Sequence, residues 1–244
     1  MKRIVKVFLV SSSAVLLMVM FVFARIKQGE DDRFITYIAD CKKQNVAMYL
    51  KDEEGKNFAS IANLQSWVEK NHRKLIFAVN GGMYGPDHSP KGLFIEKGIV
   101  KSQLDTASGE GNFYIKPNGV FYLTDSNIPI ICDTKNFKNN GNIKYATQSG
   151  PMLVIDGAIP AIFKQGSANL NIRNGVGILP DGRVILAMSK SAINFYDFAN
   201  YFRSIGCKNA LYLDGFISRT YLPEKNWVQT DGDFGVIIGV TRAD

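Results

Sequence analysis

Histidine is scarce: only His72 and His88 occur in 244 residues, so no histidine metal cluster can be assembled and H-E-x-x-H is absent. There is no G-x-S-x-G elbow, which leaves serine catalysis of the α/β-hydrolase type without a nucleophile. No P-loop and no Rossmann glycine fingerprint appear; Gly175-Val176-Gly177 sits in a hairpin strand, not at a strand-to-helix turn. No N-x-S/T sequon is present, and no basic stripe with interleaved aromatics points to nucleic acid. Three cysteines, Cys41, Cys132 and Cys207, are spaced too widely for a C-x-x-C motif. They allow one disulfide with a thiol left over, or three buried thiols acting as small hydrophobes. No cofactor is implied, and the sequence leaves a divalent metal undecided.

Long uncharged runs are also rare, and the exception lies at the start. Lys2, Arg3 and Lys6 lead into Val7–Ala24, which carries no charge. A basic flank followed by such a run reads as a signal peptide or an N-terminal membrane anchor, residues 1–24, with contact to the bilayer through residues 4–24. The remainder is then exported, facing outside the cytoplasm on the anchor or secreted or periplasmic once cleaved. The formal charge is +7. Three of those cations belong to the leader, so the remainder carries about +4, a mild excess suited to a phosphate-bearing envelope substrate.

Residues 25–33 read as a tether, and 34–244 as one domain of ordinary globular composition, with 46% hydrophobic and 21% charged residues. Apolar runs predict strands over 34–39, 46–50, 75–79, 211–213 and 236–240. Lys97-Gly98, Pro117-Asn118-Gly119 and Pro180-Asp181-Gly182 between apolar stretches predict hairpins over 92–101, 113–123 and 176–188. A helix capped by Ser60 runs to about Asn71; another, capped by Asn194 and closed by Gly206, presents Phe195, Phe198, Ala199, Phe202 and Ile205 to the core. Hairpins with two helices make an α+β fold with a mostly antiparallel or mixed sheet.

Three apolar strands end in compact polar segments. Val79 runs into Asn80-Gly81-Gly82, where paired glycines let backbone amides approach a ligand and Asn80 offers a donor and an acceptor. Gln148-Ser149-Gly150-Pro151 precedes a strand, and Asn171-Ile172-Arg173 puts a cation suited to bidentate phosphate binding before another. Leu211-Tyr212-Leu213 ends at Asp214-Gly215, a carboxylate that must be paired or functional at the end of a buried strand. His88 lies in the polar loop after the first segment, within reach of a ligand.

In this order the segments resemble the phosphodiester glycosidase family, whose pattern has an N-G-G turn, a G-P-x-L strand, an Arg-led strand with a D-G hairpin, and N-A-L-x-L-D-G. Here these are Asn80-Gly81-Gly82, Gly150-Pro151-Met152-Leu153, Arg173 with Asp181-Gly182, and Asn209 to Gly215. The chain departs where the family continues D-G-G-G-S, since Phe216-Ile217 stand before Ser218, and it reads as a divergent bacterial-type member. The resemblance implies a hydrolase that removes a sugar from a sugar-phosphodiester or phosphoglycan. Asp214, Arg173 and Asn80 are then the expected catalytic set. Gly81, Gly82, Ser149, Gly150, Gly215, Ser218 and His88 are expected around the substrate. Arg173 and the amides at Gly81 and Gly82 would hold the phosphate, while Asn80 and Ser218 orient hydroxyls. The alternatives are a non-catalytic envelope module that binds phosphoglycans on the same scaffold, and a structural envelope protein whose glycines are only turns.

Overall fold

The computed structural model describes residues 31–215 and 217–243. The leader therefore lies outside the described residues, and among those described no helix is long and apolar enough to cross a membrane. In chain order the strands are β1 (Phe34–Ala39), β2 (Asn45–Tyr49), β3 (Arg73–Asn80), β4 (Phe94–Glu96), β5 (Ile99–Ser102), β6 (Gly119–Thr124), β7 (Pro129–Asp133) and β8 (Ile143–Ser149). They continue with β9 (Met152–Val154), β10 (Asn174–Ile178), β11 (Val184–Ser189), β12 (Ala210–Asp214), β13 (Thr220–Leu222), β14 (Trp227–Val228) and β15 (Ile237–Ala243). Two helices, α1 (Ile61–Lys70) and α2 (Phe195–Ser204), complete an α+β architecture.

The strands form three five-stranded sheets, ordered β1-β11-β10-β12-β9, β14-β13-β3-β15-β2 and β5-β4-β8-β6-β7. Every pairing whose register is resolved is antiparallel. Apolar residues of all three sheets share one buried cluster, which includes Phe77, Val79, Phe121, Leu211, Leu213 and Ile238. Burial of this kind contributes roughly 25 cal/mol per Å² and fixes which face of each strand looks inward.

Both helices form where their caps and periodicity place them. Ser60 accepts from the Asn63 amide, and Ile61, Leu64 and Val68 are buried one turn apart. Asn194 accepts from the Asp197 amide, Gly206 follows the helix at φ 87°, and Phe198 and Phe202 are buried. Phe198 and Phe202 lie against Gly175 and Gly177, where an added Cβ would come within 3.2 and 2.7 Å of their rings. Glycine in β10 therefore serves close helix–sheet packing.

The Lys97-Gly98 and Pro180-Asp181-Gly182 hairpins form as expected, with Glu96 opposite Ile99 and Ile178 opposite Val184. The hairpin expected over 113–123 does not. Asn112–Tyr114 is a 3-10 turn whose Phe113 is buried, and β6 instead turns back at 125–128 to pair with β7. Asn118 is buried and Gly119 opens β6 without positive φ, so no hairpin turn forms there, and the apolar run before it plugs the core rather than joining a ladder. All three cysteines are free thiols, Cys41 and Cys207 buried and Cys132 half-buried, so no pair forms a disulfide.

Candidate functional site

Strands from all three sheets end at one junction. β3 delivers Asn80, β12 delivers Asp214, β10 begins with Asn174 opposite Asp214, and β8 ends at Ser149. The side chains there are bonded chiefly to each other. Asn80 Nδ2 donates to Asp214 Oδ2 at 3.2 Å, while Asn80 Oδ1 accepts from Asn174 Nδ2 at 3.0 Å and from the Arg219 amide at 3.0 Å. Asn174 Nδ2 also donates to the Asn80 carbonyl at 2.8 Å, and its Oδ1 accepts the Asp214 amide at 2.7 Å. Both carboxamides are fully buried, and these bonds fix which end of each is oxygen.

Asp214 is part-buried at the end of β12. Its Oδ1 accepts the Gly215 amide at 2.6 Å. Loss of water raises its pKa from 3.8 to about 6, against the opposing pull of the Gly215 amide and the Asn80 carboxamide. A carboxyl tuned to the middle of the physiological range and lodged where three sheets meet is suited to proton transfer or to stabilising a cationic centre.

Gly81 and Gly82 differ in what they offer. The Gly81 amide is spent on the Val236 carbonyl at 2.7 Å, and its carbonyl accepts Thr147 Oγ1 at 3.0 Å. The Gly82 amide has no partner among the described residues. Neither glycine has positive φ. Both are small because of close approach: a Cβ on Gly81 would lie 2.8 Å from Ile238, and one on Gly82 would lie 2.8 Å from the Thr147 hydroxyl. Of the pair, Gly82 is the donor left open.

Arg173 is close in sequence to this junction but not open to it. Its side chain is 0% exposed. Nε donates to the Ile193 carbonyl at 2.7 Å, Nη2 to the carbonyl and side-chain oxygen of Asn169 at 2.9 and 3.1 Å, and Nη1 to Tyr212 Oη at 3.3 Å. The guanidinium stacks on Phe195 at 3.6 Å, and no described carboxylate pairs with it. Burial lowers its pKa. Tyr212 Oη lies directly under Gly215, where a Cβ would be only 2.1 Å away. Arg173 and Tyr212 thus form a column beneath the Asp214-Gly215 turn, and Arg173 touches neither Asp214 nor Asn80.

Ser149 is likewise fully buried and donates to the Leu213 carbonyl at 2.7 Å, tying β8 to β12. Gly150 is small because a Cβ would meet Asn118 at 2.6 Å. The Ser218 hydroxyl donates to the carbonyls of Gly215 at 2.7 Å and Asp214 at 3.2 Å, so its proton closes the turn after β12. His88 stacks on Tyr84, and its Nε2 meets Asp233 Oδ1 at 2.5 Å. Tyr84 donates to the Asp233 carbonyl, and burial together with the charges of Asp214 and Asp233 pushes its pKa up to about 12. His88 therefore reaches the junction through Tyr84 rather than directly.

Sequence reasoning missed Asn174, Tyr84 and Arg219. Asn174 follows Arg173 in a motif where the arginine drew attention. Its signal was an amide at the first position of a buried strand, which must find partners. Arg219 follows Ser218, and its side chain binds Asp231 through Nε, 2.9 Å from each carboxylate oxygen.

Comparison with other proteins gives relatives in sequence and in fold. YigE, an uncharacterized protein of Escherichia coli K12, is 38% identical over 187 residues, 76% of this chain and 73% of that protein. A hypothetical protein from Synechocystis shares the fold at a TM-score of 0.51 and 14% identity, over 85% of this chain and 59% of its own. The catalytic domain of zebrafish N-acetylglucosamine-1-phosphodiester alpha-N-acetylglucosaminidase, auto-inhibited by its pro-peptide, matches at 0.49 and 14%, over 85% and 88%. The family model described as phosphodiester glycosidase matches residues 73–240, a span that runs from β3 to β15 and contains the whole junction. The chain belongs to the phosphodiester glycosidase family.

Proposed function

We propose that the chain hydrolyses the bond between a sugar's anomeric carbon and a phosphodiester oxygen, acting on a phosphoglycan of the cell envelope. The observation that supports this most is the desolvated Asp214 carboxyl, held by Asn80 and Gly215 at the junction of the three sheets. In the reaction, the anomeric C–O bond breaks and its electron pair leaves on the phosphate oxygen. Water adds to the anomeric carbon, giving the free sugar and a phosphate monoester. The transition state carries oxocarbenium character, so ionised Asp214 stabilises it or takes the proton of the attacking water. Phosphate leaves as a stable anion, and the Gly82 amide is placed to donate to it; one such donor contributes roughly 3 kcal/mol in a preorganised site. Asn80 and Asn174 act as positioning residues, and the Arg173–Tyr212 column supports the turn that carries Asp214. The apolar run Val7–Ala24 after Lys2, Arg3 and Lys6 supports an exported, membrane-anchored or secreted location.

The test is hydrolysis of a panel of sugar-1-phosphodiesters in ¹⁸O-labelled water by the protein and its Asp214→Asn variant. Label in the sugar, lost with the variant, is the expected result. Label in the phosphate means P–O cleavage and overturns the glycosidase assignment. Binding without turnover assigns the junction to phosphoglycan recognition alone.

A further inference from the structure

Arg173 has no exposed surface and its fork is engaged with Asn169, Ile193 and Tyr212, so an anion entering from solvent must find another cation. We infer that Arg219 is the residue that holds the substrate's phosphate, exchanging its partner Asp231 for the ligand; this rests on the phosphodiester reading above.

The Asn80 carboxamide ties the arginine's backbone to the acid. β13 pairs with β3 so that Thr220 lies opposite Val79. Arg219 directly precedes β13, and its amide donates to the Asn80 side-chain oxygen at 3.0 Å. The same carboxamide donates to Asp214, so the Arg219 backbone is one side chain away from the acid. Its Nη1 folds against the Ser218 carbonyl at 3.1 Å, and the Ser218 hydroxyl in turn closes the Asp214-Gly215 turn.

The guanidinium also has donors to spare. Nε is shared between the two Asp231 oxygens, Nη1 has one bond, and Nη2 has no partner among the described residues. The donor edge that fits two phosphate oxygens side by side is therefore partly open. The pair is also accessible, with 34% of the Arg219 side chain and 64% of the Asp231 side chain exposed. Exposed pairs contribute little, so a phosphate can displace the carboxylate at small cost. Asp231 then acts as an internal competitor that a phosphodiester anion replaces.

The competitor relation gives two variants with opposite expected signs. Binding of inorganic phosphate and of dimethyl phosphate to the full chain is followed by ³¹P line broadening at low salt. Arg219→Gln is expected to weaken both at least tenfold, and Asp231→Asn to tighten both severalfold. On any sugar phosphodiester that turns over, Arg219→Gln raises KM at least tenfold and changes kcat less. Phosphate binding that depends on Arg219, with no turnover on any panel member, supports this site while the glycosidase reading fails. Turnover with KM unchanged in Arg219→Gln keeps the glycosidase reading and overturns this site. Weaker phosphate binding in Asp231→Asn also overturns it, because Asp231 is then a support for the arginine and not its competitor.

Discussion

Replacing Asp214 by Asn should stabilise the protein at neutral and higher pH, while abolishing any turnover that needs the carboxylate. The native carboxyl ionises near pH 6 because burial disfavours its charge. In the unfolded chain it ionises near 3.8. A folded pKa above the unfolded one means that the native state binds the proton more tightly. The associated stability is fully present below about pH 4 and is lost as pH rises through about 6. A shift of about two units corresponds to about 3 kcal/mol, a ceiling because part of the carboxyl reaches solvent. Against this gain, Asn at 214 sets its NH₂ against a second donor, either Asn80 Nδ2 or the Gly215 amide. Asn80 cannot flip to relieve the clash, since its Oδ1 is held by Asn174 and the Arg219 amide. That clash costs about 1 kcal/mol, leaving a net gain of about 2 kcal/mol at pH 8. Urea denaturation of both proteins at about pH 4.5, 6 and 8 reads this out, because the other titrating groups cancel in the comparison. The difference between the two proteins should grow by about 2 kcal/mol from pH 4.5 to 8, roughly 1 M in midpoint for a slope of about 2 kcal/mol/M. A difference that stays flat with pH refutes the desolvation argument for Asp214.

If ionised Asp214 is the working form, kcat/KM rises through about pH 6 to a plateau; a rate that falls across the same range assigns the protonated form instead. Gly215→Ala places a methyl 2.1 Å from Tyr212 Oη and should cost about 1–3 kcal/mol in thermal or urea denaturation. Tyr212→Phe should recover part of that loss in the double variant, and no recovery argues against the column beneath the turn. Asn174→Ala removes partners from the Asp214 amide and from both Asn80 oxygens. It should lower kcat by on the order of 100-fold through misplacement of Asp214, with KM changed much less.

Much of this was legible in the sequence where local physics decides. Caps at Ser60 and Asn194, periodic apolar positions and the Asp-Gly and Lys-Gly turns fixed both helices and two hairpins, because each depends on neighbours within a few residues. The run at 113–116 has the same apolar look as a strand, yet Phe113 is taken up by tertiary packing. β7 and β8 were missed as well: Pro129–Asp133 begins with proline, and Ile143–Ser149 is mixed in polarity although almost wholly buried. At the site, Asn80, Asp214 and the open Gly82 amide stand out because a polar residue or glycine pair directly after a buried strand needs a reason. The contrast between two arginines was invisible. Arg173 sits in the motif but under Phe195, whereas Arg219 sits outside it and reaches solvent; only the three-dimensional path of residues 169–195 separates them.

The place of β15 has a consequence for when the protein can work. It lies between β3 and β2, although nearly two hundred residues separate it from β2 in the chain. The Asn80–Asp214 bond closes a loop of 134 residues and the Asn174–Asn80 bond one of 94. Until residues 237–243 insert, β3 lacks one of its neighbours and β2 has no partner in the sheet, so a chain emerging from synthesis holds its acid and its carboxamides unassembled. Such topology folds slowly, since loop closure is paid before the contacts that repay it. The junction is thus complete only once β15 is in place, so any turnover it supports would report completion of the fold rather than the presence of any one sheet.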